Sequence, residues 1–312
     1  MDPRVSTAKL SVISNTLLVI MKLIVGLMMG SVSVISEAIH SGLDLVAAVI
    51  AFFSVSQAAK PPDEVHRYGH GKIENVSGVA EAILIFVAAV WIIFEAVRRL
   101  ARGGAVEALG YGVAVMAVSA AVNTVISEVL FRVARKTESI ALEADALHLR
   151  TDVYTSVGVA VGLGLLKLTG WHILDPLVAL AVAALIIRAS WNLTMTAFRP
   201  LLDVALPKDE EEQIVAAIQE YATDFVEFHK LRARRAGADR HVDLHLVVHR
   251  NRAVAEVHKL CDDIEAAIKR RFPHSFVLIH MEPCTEDCPR CVAACETAAG
   301  RGGKQALPSA RG

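Results

Sequence analysis

The sequence predicts a membrane-spanning α-helical domain followed by a small cytoplasmic α/β domain, and three observations support this fold class. Hydrophobic residues make up 54% of the 312 residues, against about 45–50% in ordinary globular domains. Six apolar runs are close to the roughly 20 residues that a helix needs to cross a bilayer. Past Pro200 the apolar runs shorten and charges mix with apolar residues, which indicates a water-exposed second part.

Six transmembrane helices are predicted, and their number places both termini on the same side of the membrane. The spans are Leu10 to Met29, Val34 to Phe53, Val76 to Phe94, Tyr111 to Leu130, Val153 to Leu168 and Trp171 to Ile187. We expect the first to be a retained helix rather than a signal peptide, because no small-residue cleavage site precedes further spans. Lys and Arg residues favour a multi-pass protein of the cell (inner) membrane with cytoplasmic termini. Arg98, Arg99 and Arg102 oppose this orientation.

The part after Pro200 shows its own alternation of helices and strands. Amphipathic periodicity predicts helices over Lys208 to Tyr221 and Val254 to Phe272, and strands over Phe225 to Arg234, His241 to His249 and Ser275 to His280. The resulting order is helix, strand, strand, helix, strand, which is a ferredoxin-like or metallochaperone-like arrangement. Beyond Cys295 the Gly-, Ala-, Ser- and Arg-rich composition predicts disorder.

Charge and cysteine content exclude two other classes of protein. A formal net charge of -1 provides no electrostatic footprint for a nucleic-acid partner. The five cysteines are an odd number, and four of them fall within Cys284 to Cys295. This distribution does not fit the disulfide framework of a secreted protein, so metal or redox chemistry is expected at that end of the chain.

Ionisable residues repeat in or directly before two of the predicted spans. The second span carries His40 and Asp44, and His148 and Asp152 lie on the helix of the fifth span, just before its apolar run. Residues four apart lie on one helix face, so two such helices facing each other would bring two imidazoles and two carboxylates together. Four nitrogen and oxygen ligands suit tetrahedral Zn(II), and they also admit Fe(II), Co(II), Mn(II) or Cd(II).

Two other interpretations of these pairs compete with a metal site. Each pair could satisfy itself through a hydrogen bond within its own helix, although two identical pairs in separate spans make this less attractive. An intramembrane metalloprotease would need a His-Glu-x-x-His string, which the sequence lacks, so no catalytic residues and no enzyme activity are predicted. Glu37 and Asp145 are candidates for supporting roles, and solvation at helix ends explains them about as well.

With these features, the sequence resembles the cation diffusion facilitator family of divalent-metal/proton antiporters. The resemblance runs from about Leu10 to Cys284 and includes the stretch His66 to Glu74 and the stretch Leu202 to Pro207. It implies a homodimer, and it assigns the transport-site role to His40, Asp44, His148 and Asp152. Histidine at position 40 resembles the zinc-favouring pattern of the family.

The resemblance implies two further metal sites and one charge pair. A loop site would use Asp63, His66 and His70, although a solvated polar loop remains an alternative. The cytoplasmic site at the dimer interface would use His229, His245, His258, His280 and Glu282, the last where relatives have Asp. Lys72 and Asp203 match a structural charge pair, for which a purely local contact is the alternative.

A fourth possible metal site lies outside the part that resembles the family. Its four thiols are Cys284, Cys288, Cys291 and Cys295. They could capture metal near the cytoplasmic entrance, form an oxidation-prone disordered tail or hold an iron–sulfur cluster.

From these residues we expect an exporter of Zn(II) by proton antiport, with Zn(II) as both substrate and regulatory ligand. An exporter of Fe(II), Cd(II), Co(II) or Mn(II) and a metal-responsive membrane scaffold that does not transport are the alternatives. The expected partners are divalent metal ions, protons, the lipid bilayer and a second copy of the chain, with no nucleic acid. The expected domains are a transport domain over 1–200, a metal-binding dimerisation domain over 201–283 and a tail over 284–312.

Overall fold

The computed structural model describes residues 2–29, 32–102, 110–169 and 173–285. The chain divides into two compact units. The first takes residues 1–204 together with 236–238, and the second takes residues 205–235 and those from 239 onward. Each unit has its own buried core.

The first unit contains six long helices within the described residues. They are α1 (Pro3–Met29), α2 (Val32–Ala58), α3 (Lys72–Arg102), α4 (Gly110–Thr137), α5 (Ile140–Thr169) and α6 (Leu174–Phe198). Four segments are long and apolar enough to cross a membrane: Pro3–Val25, Lys72–Arg98, Ala117–Thr137 and Pro176–Leu202. In α2 the corresponding apolar segment is the shorter Asp44–Ala58. The first half of α5 carries several charged residues, which reduce its apolar character.

Each helix extends beyond its predicted span at one end or at both, and the largest difference is at the start of α5. Its apolar run begins at Val153, but the helix begins at Ile140. Ser139 caps the N-terminal end of α5, because its side-chain oxygen accepts a hydrogen bond from the backbone N–H of Leu142 at 3.4 Å. Glu143 in the first turn further favours a helix start through the helix dipole. His148 therefore lies well inside a helix.

Small residues bring α3, α5 and α6 close together. A Cβ atom at Gly78 of α3 would lie 2.7 Å from Cγ2 of Ile140, and one at Gly158 of α5 would lie 2.7 Å from Cγ2 of Val182. Both distances are shorter than real carbon contacts allow. The absence of a side chain at these two positions thus permits the helix packing that positions the polar residues of α5.

The second unit has the predicted order of helices and strands. It contains α7 (Lys208–Gln219), β1 (Glu227–Ala236), β2 (Asp239–Val248), α8 (Val254–Arg271) and β3 (Ser275–Pro283). The strand order is β1-β2-β3, and β2 and β3 run parallel with His245 opposite His280. β3 extends three residues beyond its predicted end, which places Glu282 within the sheet.

The two faces of β2 have different environments. Val242, Leu244, Leu246 and Val248 are buried and pack with Ile264 and other residues of the helices. The alternate positions, including His241, Asp243 and His245, are only partly buried. Alternation of side chains along a strand explains this division, and it leaves the histidine-bearing face free of the hydrophobic core.

Candidate metal sites

The first candidate site lies between α2 and α5. Asp44, His148 and Asp152 each offer one ligand atom, and these atoms all lie within 4.8 Å of one another. Nε2 of His148 is 3.1 Å from Oδ1 of Asp44. His40 lies one helical turn before Asp44 on α2, but its side chain is outside the described part of the structure. The structure therefore brings together three of the four predicted ligands.

The environment of this group favours a bound cation. Asp44 is almost completely buried, with 4% relative accessibility. Burying an ionised carboxylate is costly unless a positive charge balances it, and a bound cation would supply that charge beside Asp44. The contact of His148 with Asp44 joins two helices, in contrast to the alternative of a hydrogen bond within α5.

Sequence reasoning missed two charged residues in this part of the bundle. Lys22 of α1 is buried, and its Nζ donates to Oγ of Ser41 at 2.6 Å. Glu81 of α3 is completely buried. Both residues interrupt apolar runs that were predicted to span the membrane. An ionisable residue inside such a run is the sequence feature by which they could have been identified.

The second candidate site lies in the segment between α2 and α3. Ligand atoms of Asp63, His66 and His70 also lie within 4.8 Å of one another. Oδ2 of Asp63 is 3.2 Å from Nε2 of His70, and Oδ1 is 3.5 Å from Nδ1 of His66. The backbone N–H of His66 donates to Asp63 at 2.6 Å and lowers the pKa of this carboxyl group. Gly69, at φ +85°, permits the turn that folds His70 back toward Asp63.

The third candidate site takes one residue from each strand of the sheet. His229 of β1, His245 of β2 and Glu282 of β3 form a group within the same 4.8 Å limit. The carboxylate bridges the two imidazoles, with Oε1 2.7 Å from Nδ1 of His245 and Oε2 3.3 Å from Nε2 of His229. The hydrogen bond with His245 lowers the pKa of Glu282. An ionised carboxylate and two imidazoles can coordinate a metal ion such as Zn(II).

Two residues assigned to the third site lie outside this group. His280 is beside it, with its ring 4.7 Å from that of His245 and Nε2 3.9 Å from Oε1 of Glu282. His258 is on α8 and lies 3.8 Å from Asp262 one turn later. Within one chain, therefore, three of the five residues converge.

The predicted charge pair is formed, and most of the cysteine tail lies outside the described residues. Nζ of Lys72 lies 2.8 Å from Oδ1 of Asp203. Both side chains are at least one third exposed, so this pair contributes at most about 1 kcal/mol. Cys284 is buried, and its backbone N–H donates to the carbonyl of Val248 at 2.9 Å. Cys288, Cys291, Cys295 and the disorder predicted beyond them lie outside the described residues.

Comparison with known proteins identifies both parts of the chain. Residues 8–202 match the cation efflux transmembrane domain, and residues 206–284 match the cytoplasmic domain of cation efflux proteins. An uncharacterized transporter of Synechocystis sp. is 38% identical over 254 residues, covering 81% of this chain and 82% of the relative. The cation-efflux pump FieF of Klebsiella pneumoniae is 34% identical over 256 residues, covering 81% and 84%.

Solved structures also match part of the chain. The zinc form of CzrB is 41% identical and covers 26% of this chain and 93% of that chain, with a TM-score of 0.25. The match to the transmembrane domain covers more than half of the chain, and the sequence similarity to whole transporters spans both parts. The chain therefore has a helical membrane domain and a small cytoplasmic domain with a three-stranded sheet, and it belongs to the cation diffusion facilitator family of cation efflux transporters.

Proposed function

We propose that this protein exports Zn(II) in exchange for protons through a site formed by His40, Asp44, His148 and Asp152. The observation that carries the proposal is the convergence of Asp44 with His148 and Asp152 inside the helical bundle. Ionisable side chains are costly inside a membrane unless they bind ions or each other. The name of FieF as a cation-efflux pump supports the outward direction.

Proton exchange follows from the chemistry of the ligands. Zn(II) binds neutral imidazole and ionised carboxylate, so each proton taken up by a ligand weakens metal binding. Histidine ordinarily titrates near pH 6.5, within reach of an acidic outer face. Cytosolic Zn(II) would bind when the site opens inward, the bundle would rock to open it outward, and protons would then displace the metal.

The rest of the proposal concerns the assembly. We place six spans in the inner membrane with both termini in the cytoplasm, and we divide the chain into transport, dimerisation and tail regions at residues 200 and 283. Phe276, Leu278 and Met281 of β3 are exposed apolar side chains, which supports a homodimer formed through this sheet.

The loop and cytoplasmic groups would bind regulatory metal, the cysteine tail would capture metal, and Lys72 with Asp203 would stabilise the first unit.

Reconstituted vesicles provide the direct test of transport. The purified chain should move Zn(II) across the membrane and move protons in the opposite direction, as measured with fluorescent indicators trapped inside. Fe(II), Cd(II), Co(II) and Mn(II) should be compared in the same assay to rank the substrates. A chain that carries none of these ions would contradict the proposal and favour the non-transporting scaffold.

Histidine 40 is expected to set the choice of metal. His40→Asp replaces a nitrogen ligand with a harder oxygen ligand, so transport should broaden by about 10-fold toward Cd(II) or Mn(II) relative to Zn(II). The measurement is the ratio of initial fluxes in vesicles. His274→Asp, an exposed position in the second unit, is the matched control and should leave the ratio unchanged. An unchanged ranking in His40→Asp would show that selectivity lies elsewhere.

A further inference from the structure

Helix α5 carries an arginine between two of its proposed transport ligands. Arg150 lies two residues after His148 and two residues before Asp152. Successive residues of a helix are rotated by about 100°, so the side chain of Arg150 leaves α5 on roughly the opposite side from both ligands. The ligand side of α5 faces α2, where Nε2 of His148 is 3.1 Å from Oδ1 of Asp44. Arg150 therefore serves a different contact of the same helix turn.

Arg150 joins α5 to α4 through two contacts. Its Nη2 atom donates to Oε2 of Glu128 at 3.0 Å. Its guanidinium carbon lies over the ring of Phe131, 4.8 Å from the ring centroid. Glu128 and Phe131 are about one turn apart on α4, so they hold the same guanidinium group from two positions. Arginine suits both contacts, because its planar group donates hydrogen bonds at its edge and stacks on an aromatic face.

The contacts of Arg150 continue an apolar interface between the same two helices. Ala146 and Leu149 of α5 belong to a buried cluster with Leu130 of α4, and Phe131 packs against that cluster. Apolar contacts are non-directional, whereas a hydrogen bond weakens steeply when its angle changes. The hydrogen bond of Arg150 thus adds a direction that the apolar cluster lacks, and it restrains the rotation of α5 about its own axis.

Rotation of α5 has a large effect on distances at the transport site. Side chains reach about 5–6 Å from a helix axis, so a rotation of roughly 10° displaces a ligand atom by about 1 Å. Metal–ligand distances tolerate deviations of only about 0.2 Å. The ligand atoms of Asp44, His148 and Asp152 lie within 4.8 Å of one another. A restrained helix keeps these atoms close enough to share one metal ion, whereas a helix free to rotate does not.

We propose that Arg150 is a positioning residue of the transport site. Held by Glu128 and Phe131 of α4, its side chain fixes the rotation at which α5 presents its two metal ligands to α2. Arg150 is not itself a ligand, because a guanidinium group has no acceptor to offer a metal ion. This inference rests on the proposed transport function.

The charge of Arg150 and its positioning role affect metal binding in opposite directions. A fixed positive charge near the site repels a divalent cation, so its removal would strengthen zinc binding if charge were the whole role of Arg150. Loss of the contacts with α4 would instead weaken zinc binding, because the ligands of α5 would no longer be held in place. The sign of the change in zinc affinity therefore distinguishes the two roles.

Zinc flux in reconstituted vesicles measures this sign. Arg150→Gln should raise the zinc concentration for half-maximal flux at least about 10-fold, the effect typical when a supporting partner of a metal ligand is removed. Maximal flux should be largely retained, since all four proposed ligands remain. Arg150 and Glu128 are each at least 30% exposed, so their pair contributes little to folding stability and the variant should remain folded.

The matched control is a second arginine on the same glutamate. Nε of Arg132 donates to Oε1 of Glu128 at 3.0 Å, four residues away on α4 itself. Arg132→Gln removes the same charge and the same kind of contact without loosening α5, so the half-saturating zinc concentration should not change. An equal shift in Arg132→Gln, or tighter zinc binding in Arg150→Gln, would overturn the inference. A lower maximal flux in Arg150→Gln at unchanged half-saturation would show a merely structural role and would also overturn it.

Variants of α4 make the test independent of any one substitution. Glu128→Gln and Phe131→Leu should each raise the half-saturating zinc concentration, whereas Phe131→Tyr keeps the ring and should retain the wild-type value. Glu128→Gln combined with Arg150→Gln should shift it no further than Arg150→Gln alone, because both changes break one contact. Additive shifts would overturn the inference.

The same assay separates this inference from the proposed function. Wild-type zinc flux with an unchanged half-saturating concentration in Arg150→Gln would overturn the inference alone. Absence of any metal flux in the wild-type chain would instead refute the proposed function, and the positioning role would fall with it.

Discussion

Asp152→Ala should reduce zinc flux in reconstituted vesicles at least about 100-fold, more than the 10- to 100-fold losses typical when only a supporting partner of a metal ligand is removed. The substitution removes one of four proposed ligands and one negative charge from the site. Asp152 is on α5 and its carboxylate lies within 4.8 Å of ligand atoms of Asp44 and His148, so the remaining ligands cannot complete the coordination.

A neighbouring substitution controls for damage to the helix. Thr151 is buried beside Asp152, but its hydroxyl donates to the carbonyl of Leu147 within the helix. Thr151→Ala should therefore retain most of the flux. Both variants should remain folded, as judged by their thermal unfolding. Wild-type flux in Asp152→Ala would remove the α2–α5 group as the transport site.

Glu282→Gln should weaken zinc binding to the cytoplasmic group at least about 10-fold and abolish the effect of zinc on dimerisation of the second unit. Glu282 bridges His229 and His245, and glutamine supplies neither the charge nor the second ligand oxygen. Sedimentation of residues 205–285, with and without Zn(II), measures the linkage. This segment contains all the core residues that the structure describes in the second unit, which supports its expression alone.

The pH dependence of this binding follows from the direction of the pKa shift. The hydrogen bond with His245 lowers the pKa of Glu282, so the carboxylate stays ionised below the pH at which a free glutamate is protonated. The ionised Glu282 carboxylate stabilises the folded second unit at pH values above the ordinary glutamate pKa. This stabilisation is lost only as the pH falls through the lowered pKa of Glu282. Zinc binding should weaken as the pH falls, because protons and zinc compete for the same ligand atoms.

The matched control for this site is a second glutamate beside the same histidine. Glu227 of β1 is exposed and lies 3.7 Å from Nδ1 of His229, but it is not a member of the metal-ligand group. Glu227→Gln should leave zinc-dependent dimerisation unchanged. Equal dimerisation constants with and without zinc in the wild-type segment would contradict the regulatory role of the site.

Local periodicity was sufficient to predict the secondary structure of the second unit and the presence of long apolar helices in the first. The alternation of β2 identified its buried and exposed faces, because successive side chains in a strand point to opposite sides. Helix ends were less predictable. The start of α5 at Ile140 depends on the cap provided by Ser139, whereas the hydropathy pattern locates only the apolar part that begins at Val153.

The sequence by itself determined the family resemblance, the order of the elements and the residues capable of binding metal, because these depend on residue type and short-range spacing. Only the tertiary structure decided which of them meet. It joined Asp44 to His148 across more than 100 residues of chain, grouped His229 with His245 and Glu282, and left His258 apart on α8. It also buried Glu81 and Asp145 inside the first unit. Helix packing and strand pairing set these distances, and no local pattern encodes which two distant segments will be neighbours.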